Sequence, residues 1–134
     1  MNVMPDGVAY GNLQKCEYDV TYSDEGDRND VVHVTFLTPK DNTETRTYAD
    51  GKWGVNNQHL QLLAAVGKKP SQYDGNALLV ADEDIPIPLQ YKRTGSNAGW
   101  HISQNLFDRG RQVLQQASWT EFGSNVTINV GGSQ

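Results

Sequence analysis

The chain has 134 residues, enough for one domain around a single core. Eleven basic against sixteen acidic residues leave a formal net charge of −5, which argues against a protein that coats duplex nucleic acid by bulk charge but leaves room for a local basic groove. No apolar run reaches the roughly 20 residues of a membrane helix, the start MNVMPDG is no secretory leader, and the single Cys16 excludes an internal disulfide, so a reducing, cytoplasmic setting is expected.

Residues 1–7 read as a loose start. Residues 12–22 then alternate. Cys16, Tyr18, Val20 and Tyr22 share one face with Asn12 and Gln14; Leu13, Lys15, Glu17, Asp19 and Thr21 share the other. This predicts a half-buried strand with Cys16, Tyr18, Val20 and Tyr22 inward. SDEGDRND, residues 23–30, is a charged loop. Residues 31–37 are the most β-prone run, with Val32, Val34 and Phe36 opposed by Val31, His33, Thr35 and Leu37, so a central strand buried on both faces is expected. PKDN, residues 39–42, is a turn. Residues 43–48 form a third strand, at an edge or with one open face, and complete a meander.

DGKWGVNN, residues 50–57, is a glycine-rich loop carrying Trp53. The helix signals are concentrated in residues 56–69, NNQHLQLLAAVGKK. Asn57 can cap the first turn. Leu60, Leu63 and Ala64 fall on one face, widened by Leu62 and Val66. Gly67 can end the helix in a left-handed conformation, Lys68 and Lys69 suit its negative end, and Pro70 forbids continuation. A helix this short must cover a sheet to persist.

After the turn SQYDGN, residues 77–81 read as a short apolar strand. In IPIPLQYK, residues 85–92, Ile85, Ile87, Leu89 and Tyr91 alternate with Pro86, Pro88, Gln90 and Lys92; the prolines place the start of this strand at an edge. RTGSNAG, residues 93–99, reads as a flexible hairpin loop, and WHISQ returns from it. Asp108 is the expected cap of a second short helix reaching about residue 118, weakened by Gly110. NVTINV, residues 125–130, is a last strand before a frayed end. The sum is one domain over residues 1–134, of α+β class and mostly β: a small antiparallel barrel or sandwich with one central amphipathic helix and a second short C-terminal helix.

Catalytic signatures are missing. His33, His59 and His101 lie on separate elements without metal-ligand spacing. The acidic loop around Gly26 fails calcium-loop spacing, and it and the triplet Asp82, Glu83 and Asp84 read as solvated turns. Cys16 reads as inert packing. Neither a nucleophile elbow nor a phosphate loop is present. No catalytic, metal or cofactor site is expected. What recurs instead is aromatic beside basic: Arg46 and Tyr48, Lys52 and Trp53, then Tyr91, Lys92, Arg93 and Trp100 across one loop. Single-stranded nucleic acid is held in this way, by stacking on aromatic faces while cations follow the backbone. The competing reading puts Trp53 and Trp100 in the core, where tryptophan is usually mostly buried.

In element order the chain resembles small phage-encoded OB-fold-like single-stranded DNA-binding proteins. An opening strand and charged loop precede the strong strand DVVHVTFLT. A short strand, an aromatic-glycine loop, the helix LQLLAAVGKK and a strand pair across a flexible loop follow. The resemblance covers residues 7–106. It leaves the segment from Asp108 unaccounted for, and the chain ends VGGSQ where many such proteins carry an acidic tail. It implies binding without catalysis, with single-stranded DNA as partner in the host cytoplasm. The alternative is a viral structural or interaction module, a virion component or an inhibitor of a host enzyme. Small size, an acidic surface and edge strands that can pair with a protein partner or a second copy support it.

Overall fold

A computed structural model of the chain describes residues 8–50 and 54–116. The loose start, the strand expected at 125–130 and the frayed end lie outside the described residues. Six strands, β1 (Val8–Tyr22), β2 (Arg28–Leu37), β3 (Thr43–Ala49), β4 (Ala77–Leu79), β5 (Pro86–Thr94) and β6 (Asn97–Ile102), accompany two helices, α1 (Gln58–Val66) and α2 (Gln104–Gln116). All strand pairs are antiparallel. The sheet order is β3-β2-β1-β5-β6, with β4 also on β1, and no backbone ladder among the described residues closes the ends. The α+β, mostly-β expectation is met.

β1 is the axis of the sheet. One edge pairs with β2 from Asn12 to Tyr22. The other edge is shared, by β5 against Val8 to Asn12 and by β4 against Lys15 to Glu17. Between Leu13 and Lys15 the register with β2 shifts, which marks a β-bulge. The extra residue reverses the side-chain alternation. Ala9, Gly11 and Leu13 are buried before the bulge and Cys16 after it. Strict alternation had placed Leu13 outward, and the bulge is why it is inside. Further along, Tyr18 and Val20 are only half-buried and Tyr22 is 66% exposed, not inward, because β1 and β2 run past the ends of their neighbours.

β2 is central in the sheet but buried on one face only. Val32, Val34 and Phe36 pack with Leu62 and Leu63 of α1 and with Leu106 and Phe107 of α2. The opposite face is a polar ladder, not a second core. Thr35 meets Thr45 at 2.9 Å, and His33 bridges Thr47 (2.7 Å) and Asp19 (3.0 Å). Both helices lie on one side of the sheet, so only that side is dry. β3, at the end of the sheet, alternates half-buried Glu44, Arg46 and Tyr48 with exposed threonines, as an edge strand should.

α1 follows its sequence signals closely. The Asn57 side chain accepts the Leu60 amide at 2.9 Å, and Gly67 takes φ 76°. The Gly67 and Lys68 amides return to the Ala64 and Leu63 carbonyls, which satisfies the orphan acceptors of the last turn. Just before β5 the carbonyl of Ile85 faces β1, whereas that of Pro88 within the strand faces the other way, toward Ser103. Successive residues of an antiparallel strand point to opposite neighbours. The missing proline donors therefore lie on the side away from β1, where pairing with β6 starts only at Leu89. The expected edge is present at that end.

α2 starts at Gln104, four residues before the expected cap. Ser103 precedes it, its hydroxyl accepting the Asn105 amide at 3.3 Å, while Asp108 sits inside the helix and accepts from Gln104. Gly110, which weakens the helix by propensity, is buried where α2 crosses α1. A Cβ there would overlap the carbonyl of Gln61. Its lack of a side chain sets the approach of the two helices and the seating of Leu114 on Leu60 and Ala64. Gly110→Ala is therefore expected to lower stability by about 1–3 kcal/mol through overpacking, although alanine is the better helix former by ~1 kcal/mol. Urea unfolding decides the sign; a stabilised variant would show that the helices part at no cost.

Candidate nucleic-acid interface

The β5–β6 hairpin is tighter than the seven-residue loop expected from RTGSNAG. Thr94 pairs with Asn97, leaving Gly95 and Ser96 as the turn. Gly95 supplies φ 62° at the first turn position, where a two-residue hairpin favours glycine. Tyr91 stands opposite Trp100, and their rings meet edge-on with centroids 5.0 Å apart. Trp100 is half-buried against the core, whereas Tyr91 is 52% exposed. The tryptophan thus braces one flank of a tyrosine that stays open to solvent. Lys92 and Arg93 follow, both exposed and without an ion-pair partner among the described residues.

β3 reaches this hairpin from the far end of the sheet. Arg46 forms a 2.5 Å ion pair with Glu44 and donates to the Thr45 carbonyl at 3.0 Å. A Cβ on Gly99 of β6 would stand 2.6 Å from its Nη2. Glycine at 99 is what lets the guanidinium lie against β6. The Arg46 Nε is buried and has no hydrogen-bond partner among the described residues. Tyr48 accepts the Ile102 amide at 3.4 Å, and its ring packs edge-on against Phe107 with centroids 5.3 Å apart. Burial pushes its phenol above the ordinary value. The edge of β6 that no described strand pairs is thus capped by a side chain from β3. His101 sits among these charges; burial first, then Arg46 and Lys92, holds its imidazole below the ordinary value.

Five of the eight expected contacts, Arg46, Tyr91, Lys92, Arg93 and Trp100, therefore gather around one hairpin. Tyr48 lies close by with its ring in the core and its hydroxyl on β6. Lys52 and Trp53 lie outside the described residues. His101 joins the cluster, and its adjacency to Trp100 was the signal that could have found it. An open cleft of about 410 Å³, lined by Tyr10, Thr38, Asp41, Asp84 and others, carries two carboxylates and no basic side chain, so it does not suit a phosphate backbone. No trio of His, Cys, Asp or Glu among the described residues is placed to hold a metal. No described helix is long and apolar enough to cross a membrane.

One constellation escaped the sequence reading. Asp50, Asn57 and His59 are almost fully buried. Asn57 donates to Asp50 Oδ1 at 2.8 Å, and His59 Nδ1 meets Asp50 Oδ2 at 3.2 Å. His59 Nε2 is hydrogen-bonded to the Tyr73 hydroxyl, which in turn meets the Cys16 thiol. The chain ties the end of β3, the start of α1, the segment after it and the middle of β1. Its residues are scattered over residues 16–73, and no spacing rule links them. Every buried polar group in it has a partner, which is the condition for such a network to be tolerated.

No family model, curated protein or solved structure matches the chain.

Burial pushes the Cys16 thiol up to about 12, partly offset by the Tyr73 hydrogen bond. The unfolded thiol releases its proton near 9 while the folded one holds it. Stability from this site is therefore complete below about 9 and is lost as the pH rises toward about 12, by ~1.4 kcal/mol per unit. Thiol labelling of the native protein at neutral pH should be negligible until it unfolds. Labelling at the rate of an exposed thiol, or a melting temperature flat across the alkaline window, would contradict this account.

Proposed function

We propose that the protein is a non-enzymatic single-stranded DNA-binding protein that holds the strand on its β5–β6 hairpin. The observation that carries this reading is Tyr91, half-exposed, braced edge-on by Trp100 and flanked by Lys92 and Arg93. A base stacked on a free aromatic face contributes about 1–3 kcal/mol, enough for a local platform to outweigh a net charge of −5 at modest salt. Arg46 and His101 border the same hairpin and extend the surface toward β3.

An OB-like architecture is part of this proposal. The strand order supports it, as does the helix inserted between the first three strands and the last pair. Counting antiparallel neighbours, β3 and β6 run in the same direction, and Arg46 and Tyr48 bridge them. A partly open barrel with such side-chain bridging is consistent with the OB plan, and the loop joining its last two strands is one of the places where such barrels hold oligonucleotides. The threonine-lined face of β2 and β3 offers hydroxyls and no exposed aromatic ring among the described residues.

Anisotropy of a labelled oligo-dT, titrated at low salt, tests the proposal. Tyr91→Ala should weaken binding roughly 5- to 150-fold, the equivalent of one stacked base. Replacing both Lys92 and Arg93 by alanine should flatten the dependence of log affinity on log salt by about 1.4, at ~0.7 per cation. Absence of binding by the folded wild-type protein at low salt sinks the reading. An equal loss for Tyr91→Ala and an exposed control such as Tyr10→Ala would move the interface elsewhere.

A further inference from the structure

Besides the exposed charges on its other loops and helices, the sheet carries a charged cluster of opposite sign at each of two ends. At one end β1 and β2 outrun their neighbours. β4 reaches only Glu17 and β3 only Val31, so from Asp19 to Tyr22 and back from Arg28 the two strands form a ribbon with no described strand on either edge. Across residues 19–30, five acidic residues (Asp19, Asp24, Glu25, Asp27, Asp30) less one arginine (Arg28) leave −4. The tip is tied by its own hydrogen bonds. The Ser23 hydroxyl accepts the Glu25 and Asp27 amides, the Ser23 and Asp27 backbones pair at 2.9 Å, and Tyr18 and Arg28 both hold Asp30. Asp24, Glu25 and Asp27 have no ion-pair partner among the described residues. Tyr22 stands among them, 66% exposed.

At the other end, beyond the start of β1, the β5–β6 hairpin carries Lys92 and Arg93 beside exposed Tyr91. β1, which separates the two ends, is 15 residues long, a path of roughly 50 Å at ~3.3 Å per residue. The acidic ribbon therefore does not fold back on its own basic hairpin. Each end presents an exposed tyrosine beside a cluster of net charge, acidic at the ribbon and basic at the hairpin. An aromatic centre with a complementary charged rim is how protein interfaces are built. A tip already tied by its own hydrogen bonds has less freedom to lose on docking.

We propose that the acidic β1–β2 ribbon docks on the basic β5–β6 hairpin of a second copy of this chain. The contact is head-to-tail, so it repeats from copy to copy instead of closing as a two-fold dimer. This goes beyond the nucleic-acid reading and is tested without nucleic acid, so either can fail alone.

Sedimentation velocity at low and high salt is the measurement, on wild type and two charge reversals. One carries Asp24→Lys, Glu25→Lys and Asp27→Lys; the other carries Lys92→Glu and Arg93→Glu. All five positions are exposed, and circular dichroism checks that both variants fold. Wild type should form concentration-dependent species that salt dissolves. Each reversal alone should weaken association at least ~tenfold, and an equimolar mixture of the two should restore a salt-sensitive complex through the reversed pair. A wild type that stays monomeric at high concentration and low salt overturns the proposal, as does association that both reversals leave unchanged or a mixture that stays monomeric.

Discussion

The backbone of β1 is the constraint on which the rest of the structure depends. A strand of 15 residues presents donors and acceptors along two edges, and those that enter the core must be paired. β2 satisfies one edge over most of its length. The second edge needs two separate partners, β5 for the first part and β4 for the middle, and these come from the far side of α1 in the chain. The bulge near Gln14 lies between those two partners, where the Leu13 amide bonds Ile85 and the Gln14 carbonyl accepts from Val80. Bending β1 there lets both parts of it face the same core.

From this follows the one-sided character of the molecule. Both helices cover one side of the sheet, and their close crossing at Gly110 brings Leu106 and Phe107 down onto Val34 and Phe36. The opposite face keeps its threonine and histidine ladder in water. The ends of the sheet, left without a ladder, approach each other through side chains: Tyr48 on the Ile102 amide and Arg46 on Gly99. Basic and aromatic groups distant in the chain gather at that seam, and the nucleic-acid proposal rests on it. The same geometry sends the unflanked ends of β1 and β2 out as an acidic ribbon.

The buried Asp50–His59–Tyr73–Cys16 chain ties the helix cap to the sheet. Asn57 uses its oxygen to cap α1 and its nitrogen to hold Asp50, so the start of the helix is fixed to the end of β3. His59 then carries the connection through Tyr73 to the middle of β1. Apolar packing alone is tolerant of sliding, whereas a saturated polar chain accepts only one register.

Local chemistry alone determined a good part of this protein. The caps of α1 at Asn57 and Gly67, the alternation of β2 and β3, and the proline edge of β5 were legible because each rests on backbone sterics or on hydrogen bonds within a few residues. The α+β, mostly-β class followed from them. Tertiary structure decided the rest. It put Leu13 inside through a bulge that no alternation rule foresees, opened one face of β2 because both helices chose the other, and started α2 at Gln104 while turning Gly110 from a weak point into a crossing point. It shortened the RTGSNAG loop to two residues because cross-strand pairs, from Tyr91–Trp100 outward, zip the hairpin shut. It also assembled Asp50, His59, Tyr73 and Cys16 into one chain. These outcomes depend on contacts between residues far apart in the chain, whose energies sequence spacing does not encode.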